Sequence, residues 1–178
     1  IFTQSALRAL IHKSCDFDKI RSSRAKLYAC AYDINEKHVR YFELKSMDDE
    51  DMIDAVLSSA AIPHVYDPVV IEGHRYADGG INDPAYGVKN SDVTPIKPLQ
   101  DEGYDIILVI HLREQEGFEL DHIGNTRLVH IYPSHPLEQI RGSGTMNFTK
   151  QAIKEKFNMG YNDMYIALAK LMMEYIRK

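Results

Sequence analysis

The stretch Tyr76-Ala77-Asp78-Gly79-Gly80-Ile81-Asn82-Asp83-Pro84 sets a carboxylate before two glycines and a polar turn closed by proline. A carboxylate in such a place can act as a general base. It would take the proton of a nucleophile, such as a hydroxyl that is weak until a neighbouring base activates it. Gly79 and Gly80 would keep bulk away from the carboxylate and let the backbone take positive φ. Asp-Gly is also a strong hairpin-turn signal, so these residues by themselves leave a plain turn and a positioned base both open. Asn82 and Asp83 read as turn residues whose side chains bond nearby backbone amides.

A base needs a partner, and the chain offers few. The nucleophile elbow G-x-S-x-G occurs nowhere. Arg141-Gly142-Ser143-Gly144 imitates it, but its glycines touch the serine directly and it follows Asp78 in order. Ser143 therefore reads as part of a flexible loop. His64, His74, His111, His130 and His135 could join Asp78 and Asp83 in a metal site. Each lies in a different segment and no pair has a helical metal-ligand spacing, so ordinary core or surface histidines are expected. Cys15 and Cys30 lack any C-x-x-C spacing and read as free thiols in a reducing cytoplasm. A formal net charge of −5, scattered basic residues and the lack of a P-loop or GxGxxG argue against nucleic-acid binding and nucleotide-dependent chemistry.

The elements that would position Asp78 follow from hydrophobic periodicity. At 178 residues the chain suits one domain with a buried core. Residues 1–14 read as a helix already under way at Ile1, with Phe2, Ala6, Leu7, Leu10 and Ile11 at helical spacing. Ser14 to Arg24 reads as a polar link. Residues 25–34 and 38–45 form a hairpin around Asn35-Glu36-Lys37. A helix follows, with Ser46 and Asp49 as a capping box and Asp48 to Asp51 complementing the helix dipole. Met52, Ile53, Val56, Leu57 and Ala60 line its inner face, and Pro63 stops it. Pro68 to Ile71 and Arg75 to Ala77 are short extended segments around Glu72-Gly73, which places Asp78 just past a strand end. Pro84 suits an early helical position, and Pro95 and Pro98 limit any helix between 92 and 103. Residues 105–112 read as a strand buried on both faces of a parallel sheet, and 127–133 as another. From about Gly160, Tyr161, Tyr165, Leu168, Met172 and Tyr175 form a stripe expected to pack as core. The pattern is an α/β layered domain.

The run from Ser58 to Pro84 resembles the patatin-like phospholipase family. Ser59, Ala61 and Pro63 match its Ser-x-Ala-x-Pro segment, Tyr66, Pro68 and Val69 its aromatic-x-Pro-Val segment, and Asp78, Gly79 and Gly80 its Asp-Gly-Gly motif. The hairpin around residues 31–44 also looks like the family's region before that helix, and the likeness covers roughly residues 22–90. The resemblance implies a three-layer α/β fold with a mostly parallel central sheet, incomplete at its N-terminus. It implies a lipid acyl hydrolase working through a Ser–Asp dyad, with Asp78 at the position of the base and Gly79 and Gly80 shaping its loop. Such chemistry needs no metal and no organic cofactor. It implies a lipid or small ester as substrate, with transient contact with a membrane surface and no nucleic-acid partner. The family's serine elbow and glycine-rich oxyanion loop both precede the matching region. The expectation is therefore a C-terminal portion of a longer enzyme, inactive by itself; the alternative is a non-catalytic α/β binding or regulatory module.

Overall fold

The computed structural model describes residues 3–90, 92–100, 102–112, 120–137, 147 and 149–177. They fall into two compact units, Ile1–Pro98 and Leu99–Lys178.

The first unit begins with helices α1 (Ser5–Ser14) and α2 (Phe17–Ser22). The second of these occupies the segment that reads as a polar link. Its N-cap Asp16 accepts from the Lys19 amide, a local bond that short polar runs can use to start a turn of helix. Strands β1 (Tyr28–Asp33) and β2 (His38–Glu43) form the expected hairpin. A 3₁₀ turn, Leu44–Ser46, leads into α3 (Asp49–Ser59). The cap of α3 is Asp48, whose side chain accepts from the Asp51 amide, and not Ser46, whose hydroxyl donates to the Glu43 carbonyl. Strands β3 (Val69–Ile71) and β4 (His74–Asp78) then pair around Glu72-Gly73, where φ is +52° and +82°. That double left-handed turn is the tight hairpin of this unit.

The four strands lie in the order β2-β1-β4-β3, and every pair is antiparallel. This corrects the mostly parallel central sheet. The β1–β2 and β3–β4 connections are tight turns, whereas a parallel neighbour requires a crossover of about a dozen residues or more. Strand alternation then sorts the side chains. Ala29, Ala31 and Tyr76 face α3 and pack with Phe42, Leu44, Met52, Ala55 and Ile71. On the opposite face Tyr32 and Ala77 pack with Val88 from the segment after β4. Covering both faces buries these short strands without help from a longer sheet.

α3 is held at its outer side as well. Arg8 of α1 reaches Glu50 at 2.8 Å and also bonds Asp54, and Gln4 donates to the Leu57 carbonyl at 2.9 Å. Such exposed ion pairs contribute only about 0–1 kcal/mol each. The buried residues Met52, Ile53, Ala55 and Leu57 do more to place the helix.

The second unit holds β5 (Ile106–Ile110), β6 (His122–Ile123), β7 (Thr126–Ile131) and the 27-residue α4 (Lys150–Ile176). The sheet order is β5-β7-β6, with β5 parallel to β7 and β6 antiparallel to it. β5 is buried on one face only: Ile107 and Val109 are inside, while Leu108 and Ile110 are exposed. A continuous apolar run thus need not mean two covered faces. α4 starts ten residues earlier than the stripe suggests, because Thr149 caps the Ala152 amide. Its Tyr161, Tyr165, Met172 and Tyr175 are exposed, so the expectation of a core stripe is corrected. Among the described residues no helix is long and apolar enough to cross a membrane.

Candidate functional site: Asp78 and its loop

Asp78 is the last residue of β4 and pairs with Ala31 of β1, one step further along the strand than the sequence suggests. The pairing places its side chain on the face that looks toward α3. Its amide donates to the Ala61 carbonyl at 3.0 Å. The segment that closes α3 is thereby laid against the end of β4. Val69 in turn pairs with Tyr76 across β3 and β4. The three separated sequence segments around Ser59–Pro63, Tyr66–Val69 and Asp78–Gly80 therefore converge on one corner of the sheet.

The carboxylate of Asp78 is mostly buried, and one oxygen is held while the other is not. Oδ1 accepts from the Gly80 amide at 2.7 Å. Oδ2 receives no hydrogen bond from any described residue, yet it is not sealed from solvent. Burial pushes the Asp78 acid up from its ordinary value, and the single Gly80 bond offsets this only in part. The group is thus a carboxylate with a free lone-pair face and raised proton affinity. Those are properties of a base.

The two glycines are needed for space, not for left-handed backbone, since neither has positive φ. A Cβ on Gly79 would stand 2.6 Å from the Cys30 carbonyl oxygen and 2.6 Å from its Sγ. A Cβ on Gly80 would stand 3.3 Å from Asp78 Oδ1. The Asp-Gly pair also does not join the strands of a hairpin, because β4 has β1 and β3 as its neighbours. The chain instead turns at Asp78–Ile81 and leaves the sheet.

Asn82 and Asp83 serve that departure. Asp83 caps the 3₁₀ turn Pro84–Tyr86 by accepting from the Ala85 and Tyr86 amides, and its other oxygen meets His64 Nε2 at 2.9 Å. The His64 bond, with the Tyr86 and Ala85 amides, holds Asp83 below the usual carboxylate range against a smaller opposing effect of burial. Asn82 Oδ1 accepts from the Asn90 amide at 3.1 Å.

Of the other candidate histidines, His74, His111 and His130 meet partners, and His135 joins neither of these pairs. His74 Nδ1 lies 2.8 Å from Asp33 Oδ2, and His111 Nε2 lies 2.8 Å from His130 Nδ1. Among the described residues no three His, Cys, Asp or Glu side chains gather as metal ligands, so the candidate metal set does not assemble there. Cys15 and Cys30 are both free thiols. Burial, then the charges of Asp92 and Asp78, push the Cys30 thiol up to about 12, which leaves it protonated and inert beside the loop. Ser143 lies outside the described residues.

Residues 1–87 match the family model described as patatin-like phospholipase. This half of the chain carries a patatin-like phospholipase domain. No curated protein matches the chain. The patatin-like match includes all three converging segments and ends just after the Pro84–Tyr86 turn.

Sequence reasoning overlooked what lies just beyond that boundary. The buried Asn90 donates from Nδ2 to the Gly79 carbonyl at 2.7 Å, and its Oδ1 accepts from the Asp92 amide at 2.8 Å. Asp92 Oδ2 then receives Tyr41 of β2 at 2.8 Å and Lys97 at 2.7 Å. The only signal in the sequence was a local richness in Asn and Asp, which turns share.

Proposed function

We propose that Asp78 is the general base of a Ser–Asp dyad in a lipid acyl hydrolase of the patatin-like type. The observation that carries this reading is the half-bare, mostly buried carboxylate at the point where the three family-like segments meet. Asp78 Oδ2 accepts the serine Oγ proton as Oγ bonds to the ester carbonyl carbon. The proton then passes to the departing alcohol as the ester C–O bond breaks, and the same carboxylate activates water to release the acyl group. Gly79 and Gly80 keep side chains out of the approach to Asp78. The serine and its oxyanion donors are supplied by chain outside these residues, since no G-x-S-x-G is present. The 178 residues alone are therefore catalytically silent. The substrate is a carboxylic ester of a lipid or a small molecule, met at a membrane surface by a cytoplasmic protein that uses no cofactor.

The test is to read the coding sequence upstream of Ile1 and assay the complete product on short-chain and phospholipid esters. An upstream serine elbow together with ester hydrolysis is the expected result. A complete protein without an elbow and inert toward esters would be a non-catalytic binding module instead.

A further inference from the structure

We infer that Asn90, outside the patatin-like match, is a positioning residue that fixes the Asp78 carboxylate by clamping the Gly79 peptide against β1. The inference rests on Asp78 being the base, but its geometry does not. Gly79 is pressed by the backbone of Cys30, closely enough that a Cβ would force Cys30 to shift. Its carbonyl is also gripped by Asn90 Nδ2 at 2.7 Å. The Gly79 peptide lies between Asp78 and the Gly80 amide that holds Oδ1. Tilting that peptide moves the amide off the carboxylate, so the clamp sets which oxygen is held and which is bare.

Asn90 suits this task in several ways. It is buried, and backbone partners occupy both ends of its amide: the Gly79 carbonyl on Nδ2 and the Asp92 amide on Oδ1. Its own backbone amide bonds Asn82 Oδ1, which ties the two ends of the 82–90 excursion together. Asp92 anchors the far side through Tyr41 of β2 and Lys97. The chain is thus sheet, Tyr41, Asp92, Asn90, Gly79, Gly80, Asp78. The titratable groups facing this corner are Cys30 from β1, Tyr41 from β2, and Asp92 and Lys97 from the loop. The Cys30 and Tyr41 protons are both held through the range in which Asp78 titrates.

The experiment follows the Asp78 carboxyl by carbon-13 NMR titration in the whole chain, which needs no serine. In Asn90→Ala the Asp78 midpoint should fall toward the ordinary carboxylate value as water enters, and the Gly79 and Gly80 amide signals should shift. In the serine-containing protein kcat should fall by roughly 10- to 100-fold with KM changed less than about twofold, since misplacing a catalytic group costs rate more than binding. Asn90→Asp keeps the shape and can donate to the Gly79 carbonyl only when protonated. The offset of its Gly79 and Gly80 signals from those of wild type at the same pH should therefore shrink at low pH, a rescue that a merely structural residue would not give. A folded Asn90→Ala with unchanged Asp78 titration and unchanged amide signals overturns the inference. If Asn90→Ala has no melting transition, Asn90→Asp decides alone, and loop signals offset from wild type by the same amount at every pH overturn it. Failure of the base assignment looks different: Asp78→Asn would keep its activity while the NMR response to Asn90 persisted.

Discussion

Asp33 and Asp78 stand near opposite ends of the same antiparallel β1–β4 pair, where Asp33 faces Tyr76 and Ala31 faces Asp78. Both are carboxylates taken largely out of water. Asp33 is saturated: Oδ1 accepts the Asn35 and Glu36 amides at 2.9 Å each, and Oδ2 meets His74 at 2.8 Å. Burial pushes Asp33 up, but the Glu36 amide, His74, Tyr76 and the Asn35 amide together outweigh it and hold the acid below its ordinary value. Asp78 has one amide, and burial wins. The same residue type on the same pair of strands is saturated with donors at one end and left with one bare oxygen at the other. What separates them is the number of donors that the local turn and the neighbouring strand supply.

This contrast can be broken in graded ways. The largest effect belongs to Asp78→Asn, which should cut ester hydrolysis by roughly 10²–10⁴-fold in the serine-containing protein, measured as kcat/KM on a chromogenic ester. The same substitution should raise Tm at neutral pH. The folded acid titrates above the unfolded one, so stability falls as pH rises from the ordinary carboxylate value through the raised one. Removing the charge removes that loss, and the gain should vanish below the ordinary value, where Asp78 is protonated in both states.

Gly79→Ala comes next, since its methyl must displace the Cys30 backbone; a cost of about 1–3 kcal/mol is expected from urea unfolding. Asp33→Ala should cost about 1–3 kcal/mol by leaving turn amides and His74 without their acceptor. Its pH sense is opposite to that of Asp78. The folded Asp33 titrates low, so its contribution is present above the unfolded value of about 3.9 and is lost as pH falls through the folded one. The smallest effect is His64→Ala, which removes an exposed partner of Asp83 and should leave the urea midpoint nearly unchanged in the same unfolding assay.

Much of this was written in the sequence, because it depends on local chemistry. The β1–β2 hairpin, the Glu72-Gly73 turn, α3 and Pro84 at the start of its turn all follow from residues close in the chain. The three spaced segments that carry the family likeness, and Asp78 with them, could be read in the same way. What could not be read depended on partners distant in sequence. The run at 105–112 does find a parallel neighbour in β7, but its apolar pattern does not say that one of its faces stays uncovered, nor that the sheet holding Asp78 is antiparallel. The stripe of α4 has a helix period whether or not anything covers it. Gly79 reads as needed for positive φ and for keeping bulk off the carboxylate; the φ role fails, and only the position of Cys30 reveals which neighbour its size must spare. Asn90 was invisible for the same reason: its meaning is the carbonyl eleven residues away that it reaches.

The most direct test of the central claim is to titrate Asp33 and Asp78 side by side in the 178-residue chain by carbon-13 NMR of their carboxyl groups. Asp78 should protonate above the ordinary carboxylate value and Asp33 below it, in one sample and on one sheet. An Asp78 that titrates at or below Asp33 would contradict that claim, because a carboxylate so readily ionised has no excess affinity for a serine proton.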